Sequence, residues 1–150
     1  MARRIMLNGT SYFGQGAIQE IVNEIKNRHF KKVLVTSTPD LFEFKVATKV
    51  TDLLDAAGIA YDVYDNIKPN PTIENVTSGV AACKAAGAEA IVAVGGGSAI
   101  DTSKAIATIM TNPEFGDVRS LEGLAPTKHP CLPIIAVSTT SGTAAEVTIN

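Results

Sequence analysis

Short apolar runs alternate with longer stretches of helical period along this chain. Residues 32–36, Lys-Val-Leu-Val-Thr, are β-branched and apolar on both alternations, the pattern of a strand buried on two faces. Beyond Asp40, the apolar positions Val46, Val50, Leu53, Leu54 and Ala57 share one helical face, which predicts a helix over 42–57 stopped by Gly58. A second strand is expected over 59–64. Lys68-Pro69-Asn70-Pro71-Thr72 then forms a turn stiffened by two prolines, and Thr72 is placed to cap a helix running through Val76, Val80 and Cys83 to Gly87. Residues 90–94 form a third apolar run, Gly95-Gly96-Gly97 a loop, and 98–110 a helix; after an irregular stretch, 133–137 reads as a strand. Nearer the start, 4–7 suggests another strand, and Phe13-Gly14-Gln15-Gly16 leads into a helix over 17–27. This alternation predicts an α/β fold: a Rossmann-like, mostly parallel sheet with helices on both faces, in one domain over 1–150.

Composition agrees and narrows the options. A hydrophobic fraction of 45% suits a globular chain rather than a disordered one. Thirteen basic residues against fifteen acidic ones leave a net charge of −2, so no nucleic-acid footprint or polybasic membrane anchor is expected. The apolar stretch Ile5-Met6-Leu7 ends at Asn8-Gly9, too short for a signal peptide or a membrane span. Cys83 and Cys131 fit no disulfide or zinc spacing, consistent with reduced thiols in a cytoplasmic protein. The chain reaches Asn150 within polar sequence that reads as structured, which suggests a longer enzyme.

Candidate chemistry centres on Gly95-Gly96-Gly97-Ser98. Glycines between a strand and a helix let a ligand approach the backbone, and the helix start offers unpaired N–H groups with partial positive charge, a natural seat for phosphate. A tight turn without a ligand is the competing reading, although three glycines are entropically costly for that purpose alone. The spacing differs from the common dinucleotide fingerprint, since Ile100 stands where a third spaced glycine would be. Ser98 and Asp101 fit a capping box, and Asp101 could instead face a ligand amide. Lys104 faces either solvent or a phosphate. Ser138-Thr139-Thr140-Ser141-Gly142-Thr143 follows the next strand on the same sheet edge; its hydroxyls could bind phosphate and ribose oxygens or form a Ser/Thr turn capping a helix from Ala144. His29 and His129 have no ligand spacing, and neither cysteine has a nameable catalytic partner.

The run from Gly95 to Lys104 matches the GGGSxxDxxK signature and resembles the iron-containing (group III) alcohol dehydrogenases. Phe13-Gly14-Gln15-Gly16, Pro69-Asn70-Pro71-Thr72 and the segment 139–148 agree, in register over the whole chain. Segments 112–115 and 118–124 are most similar to members that reduce lactaldehyde to 1,2-propanediol. The resemblance implies the N-terminal domain of a two-domain enzyme of dehydroquinate synthase-like fold. Its helical metal-binding domain would lie outside this chain and hold Fe2+ or another divalent metal. It also implies a cytoplasmic homodimer with an interface near 4–12, and a small aldehyde or alcohol as substrate.

In such an enzyme Gly96, Gly97 and Ser98 hold the pyrophosphate of NAD or NADP. Asn70, Asp101, Thr139, Thr140 and Thr143 line the dinucleotide, and Asn150 reaches toward the nicotinamide. Hydride passes between the nicotinamide and an aldehyde polarised by the metal. The isolated segment is expected to bind cofactor weakly and to be inactive. Members that use NAD place an aspartate where Thr38 stands here, so discrimination against NADP is expected to be weakened, unless Asp40 substitutes. Ala144-Ala145 replaces a glycine-containing pair, and alanine there predicts ordinary right-handed helical torsions. A glycerol- or 1,3-propanediol-type dehydrogenase, and a non-redox nucleotide-binding module using the same glycine turn, are the alternatives.

Overall fold

The computed structural model describes residues 9–123 and 125–148. The suggested strand over 4–7 and the candidate Asn150 lie outside them. Among the described residues, four strands, β1 (Lys32–Thr36), β2 (Ala60–Tyr64), β3 (Ala90–Gly95) and β4 (Ile134–Ser138), form one parallel sheet in the order β2-β1-β3-β4. The order reverses at β1: the chain steps outward to β2, then crosses back to β3. The crevice between the carboxyl ends of β1 and β3 is therefore the topological switch point, where open α/β sheets bind their ligands.

The helices are α1 (Glu20–Asn27), α2 (Pro39–Glu43), α3 (Thr48–Ala56), α4 (Ile73–Ala86) and α5 (Gly97–Thr111). Two cores result, one on each face of the sheet. Leu34, Ile91 and Ala93 pack with residues of α4 and α5, including Val80, Cys83, Ile100 and Ile106. Their strand neighbours Val33, Val35, Val92 and Val94 pack with Ile21 and Ile25 of α1 and with Val50 and Leu54 of α3. Alternate residues of β1 and β3 thus serve opposite faces, which is why residues 33–35 and 90–94 are apolar without alternation. The helix α4 crosses α5 closely at Gly79, where an added Cβ would overlap the side chain of Ile106.

Most elements form where the pattern places them, with three differences. The helix expected over 42–57 is two: α2 ends at Glu43, Lys45 turns left-handed (φ 58°), and α3 begins at Thr48. Backbone bonds from Val46 and Ala47 to the Leu41 carbonyl close that corner. The helix expected over 17–27 opens with a 3-10 turn, Ala17–Gln19, before α1. No helix begins at Ala144; residues 145–147 form a turn, closed by bonds from Val147 and Thr148 to the Ala144 carbonyl. Ala144 itself has φ 54°, left-handed rather than right-handed as expected. The loop geometry here outweighs alanine's preference, at a local cost of about 1–2 kcal/mol. Among the described residues, no helix is long and apolar enough to cross a membrane.

Candidate functional site

Because all four strands run parallel, the loops that follow them share one rim of the sheet. Ser37 and Thr38 follow β1, the loop containing Asn70 follows β2, the glycine turn follows β3 and the hydroxyl turn follows β4. The last two meet. Gly95 pairs in register with Ser138, and the Thr139 N–H donates to the Gly95 carbonyl at 3.0 Å. Against Gly96 lies Thr140, whose Oγ1 would be 2.7 Å from an added Cβ. Thr143 stands beside Gly97, its Cβ 3.7 Å from the corresponding position.

The three glycines are not equivalent. Gly95 has φ 152°, and a Cβ there would lie 2.6 Å from that of Ala99, so the fold itself requires glycine. A Cβ on Gly96 would crowd the Thr140 side chain, which would have to shift. Gly97 has a φ any residue adopts, and a Cβ there would make only ordinary contacts with Thr143 and, at 4.0 Å, Asp101 Oδ2. Packing accounts for two glycines and leaves the third without a structural reason.

Gly97 is also the first residue of α5, a helix of 15 residues. Its N-cap is Gly96, which carries no side chain to satisfy the first N–H groups, and no acidic residue occupies the first turn. The capping box anticipated from Ser98 and Asp101 is therefore absent: the helix starts one residue earlier, and Ser98 lies inside its first turn. Asp101 turns to Lys104, whose Nζ is 3.1 Å from Asp101 Oδ1 and 2.9 Å from Thr148 Oγ1. Lys104 thereby offsets the Asp101 carboxylate and ties α5 to the segment after β4. The first-turn amides keep their partial positive charge and their unpaired hydrogens, which suits a diphosphate. The residues present fit a dinucleotide on this ground.

The other predicted residues are more dispersed. Thr38 is the N-cap of α2, partly exposed and extended (φ −92°), without a capping bond from its side chain. Leu41, three residues on, approaches to 3.5 Å of the position a Gly95 Cβ would take, so the start of α2 walls the switch point. Asn70 is exposed and left-handed (φ 54°) between its two prolines, one strand further out. Sequence reasoning missed the buried hydroxyls of Thr36, Ser37 and Ser103 beneath the turn. A signal existed for Thr36, since its parity with Leu34 puts it on the α5 face of β1.

A metal does not fit. Among the described residues, no group of three or more His, Cys, Asp and Glu side chains could hold an ion. Nor is Cys83 a nucleophile: it is buried, and burial pushes its thiol up to about 11, so it stays protonated.

A rim of this construction is what the sequence signature anticipates, and comparison decides the family. The family model for iron-containing alcohol dehydrogenases matches residues 8–150. The chain belongs to that family. It is 51% identical to lactaldehyde reductase of Escherichia coli K12 over 150 residues, all of this chain and 39% of that protein. Its fold matches the crystal structure of a 1,3-propanediol oxidoreductase with a TM-score of 0.92 at 32% identity, covering 99% of this chain and 38% of that one. It matches sulfoacetaldehyde reductase from Bifidobacterium kashiwanohense, solved in complex with NAD+, with a TM-score of 0.83 at 28% identity, covering 99% and 39%. As an iron-containing alcohol dehydrogenase sequence, the chain spans about two fifths of the length of these relatives.

Proposed function

We propose that this chain is the nicotinamide-dinucleotide-binding domain of an NAD(P)-dependent aldehyde reductase whose substrate is a small aldehyde, lactaldehyde reduced to 1,2-propanediol. The observation that carries the reading is Gly97: a glycine the fold does not need, opening an uncapped helix at the switch point of a parallel sheet. Backbone approach by a diphosphate gives that glycine its reason. The 51% identity to a lactaldehyde reductase supports the substrate class.

In this reading the amides of Gly97 and Ser98 take the pyrophosphate, while the hydroxyls of Thr139, Thr140 and Thr143 reach it from the β4 side. Asp101 and Asn70 flank the dinucleotide, and Asn150 extends the site toward the nicotinamide. The bound cofactor supplies the hydride; these residues supply its position, a large effect in its own right. The divalent metal of the family belongs to residues outside the described segment. Cytoplasmic location and a homodimer with an interface near 4–12 complete the proposal.

Thr38 sets the cofactor preference. A neutral hydroxyl at the end of β1 does not repel a 2′-phosphate as a carboxylate would. Catalytic efficiencies with NADH and NADPH in the full-length enzyme are expected to differ by less than about tenfold; a large preference for NADH refutes this role.

The decisive test of the domain's function is Gly97→Ala. Alanine inside a helix start should leave thermal stability unchanged or raise it by about 0.5–1 kcal/mol. NADH binding, followed by cofactor fluorescence, should weaken by about tenfold or more, because the methyl group occupies the approach to the amides. A variant that binds NADH as well as the parent chain refutes the assignment.

A further inference from the structure

The ladder between the two central strands ends at Thr36 opposite Ala93, one residue short of Val94 and two short of the glycine turn. Beyond that point the link continues through side chains. Ser37 Oγ donates to the Val94 carbonyl at 2.8 Å. Thr36 Oγ1 lies 2.7 Å from Ser103 Oγ, which in turn lies 2.6 Å from the Ala99 carbonyl. A carbonyl only accepts, so the Ser103 proton is committed to Ala99 and the Thr36 hydroxyl must donate to Ser103. All three hydroxyl residues are fully buried.

Thr36 and Ser37 are consecutive, so in an extended strand their side chains leave on opposite faces. They reach the chain on either side of Gly95-Gly96-Gly97: Val94 before it, Ala99 after it. Glycine gives a backbone its greatest freedom, and a glycine turn left loose would have to be ordered by its ligand at a cost in affinity. Here both ends of the turn are held from one strand terminus.

We infer that Thr36 and Ser37 are positioning residues that preorganise the glycine turn for its diphosphate, Thr36 acting through Ser103. This deepens the proposed function and rests on it. Neither hydroxyl touches the ligand; each fixes the carbonyl at one end of the turn, and through it the direction of the intervening N–H groups.

The test is a pair of measurements on the full-length enzyme and its variants: NADH affinity by cofactor fluorescence, and hydrogen–deuterium exchange of the amides of residues 96–99 without ligand. Thr36→Val keeps the shape and removes the donor. It should weaken NADH binding by about five- to tenfold and speed exchange at 96–99, since one buried hydrogen bond is lost. Thr36→Ser retains the donor and should restore affinity to within about twofold. Ser103→Ala removes the intermediate from the helix side and should reproduce the effect, which covers failure of Thr36→Val to fold. A role in stability alone would lower the melting temperature and leave both readouts at parent values; that result in a folded variant overturns the inference. A parent chain that binds no NADH overturns the cofactor reading, and a clamp with nothing to position falls with it. Parent binding with unaltered variants overturns the clamp alone.

Discussion

The turns after β3 and β4 rise from adjacent strands and touch one another, yet they are built by opposite means. The glycine turn follows a strand that is buried at every residue, has φ 152° at Gly95, and is held from below by three buried hydroxyls. The hydroxyl turn follows a strand of intermediate burial, and residues 138–144 are all exposed. Its main ties are the Thr139 bond to Gly95, the Ser138 hydroxyl's bond to the Thr140 carbonyl at 3.3 Å, and the Lys104 bridge to Thr148. One half of the candidate site is buried and braced by hydroxyls beneath it, and the other is exposed and held by few bonds.

Substitutions should sharpen that contrast. The largest effect is expected at Gly95→Ala, which combines forbidden φ with a collision at Ala99: a loss of about 2–4 kcal/mol, measured by denaturant unfolding. Ser141→Ala, in the other turn, should stay within about 0.5 kcal/mol in the same assay. Equal costs at the two positions would abolish the distinction.

Next comes Asn112, which anchors the approach to β4. Fully buried, it accepts from the Lys128 and His129 N–H groups at 3.0 and 2.9 Å and donates to the His129 and Thr108 carbonyls. Asn112→Ala removes all the hydrogen bonds of this buried amide at once and should cost about 1–3 kcal/mol. Proteolysis should then cut within 112–133 before it cuts near the glycine turn.

Ala144→Gly relieves a left-handed alanine in the exposed turn and should raise stability by about 1 kcal/mol, read as a shift in denaturation midpoint. The smallest effect lies away from both turns. Arg28 and then Tyr12, hydrogen-bonded to Glu24, hold its carboxyl below the usual range. A lowered carboxylate adds stability above its unfolded pKa and loses it as pH falls through the folded value. Glu24→Gln should therefore narrow the gap between stability at neutral and at acid pH, by only a few tenths of a kcal/mol for so exposed a cluster.

The sequence shows the fold more fully than the site. Strands β1 and β3 are legible because burial on both faces leaves residues 33–35 and 90–94 apolar without alternation, and α4 because Thr72 and Gly87 mark its ends. The break between α2 and α3 is not, since Lys45 takes a left-handed torsion that neither glycine nor asparagine announces. Within the site, the glycine turn and the hydroxyl turn stand out by composition. Which glycine serves the ligand does not, because that depends on what each Cβ would meet across the turn. Thr36 and Ser103 are ordinary strand and helix residues until the fold joins them.

That junction spans 67 positions in the chain. Strand β1 cannot meet β3 until α3, β2 and α4 between them have been laid down, so the cradle closes across one of the longest loops in the domain. During synthesis, a nascent chain released only as far as β2 would have a strand with an unpaired inner edge and no glycine turn beside it. The brace beneath the glycine turn therefore exists only where β1 and β3 are paired in the assembled sheet.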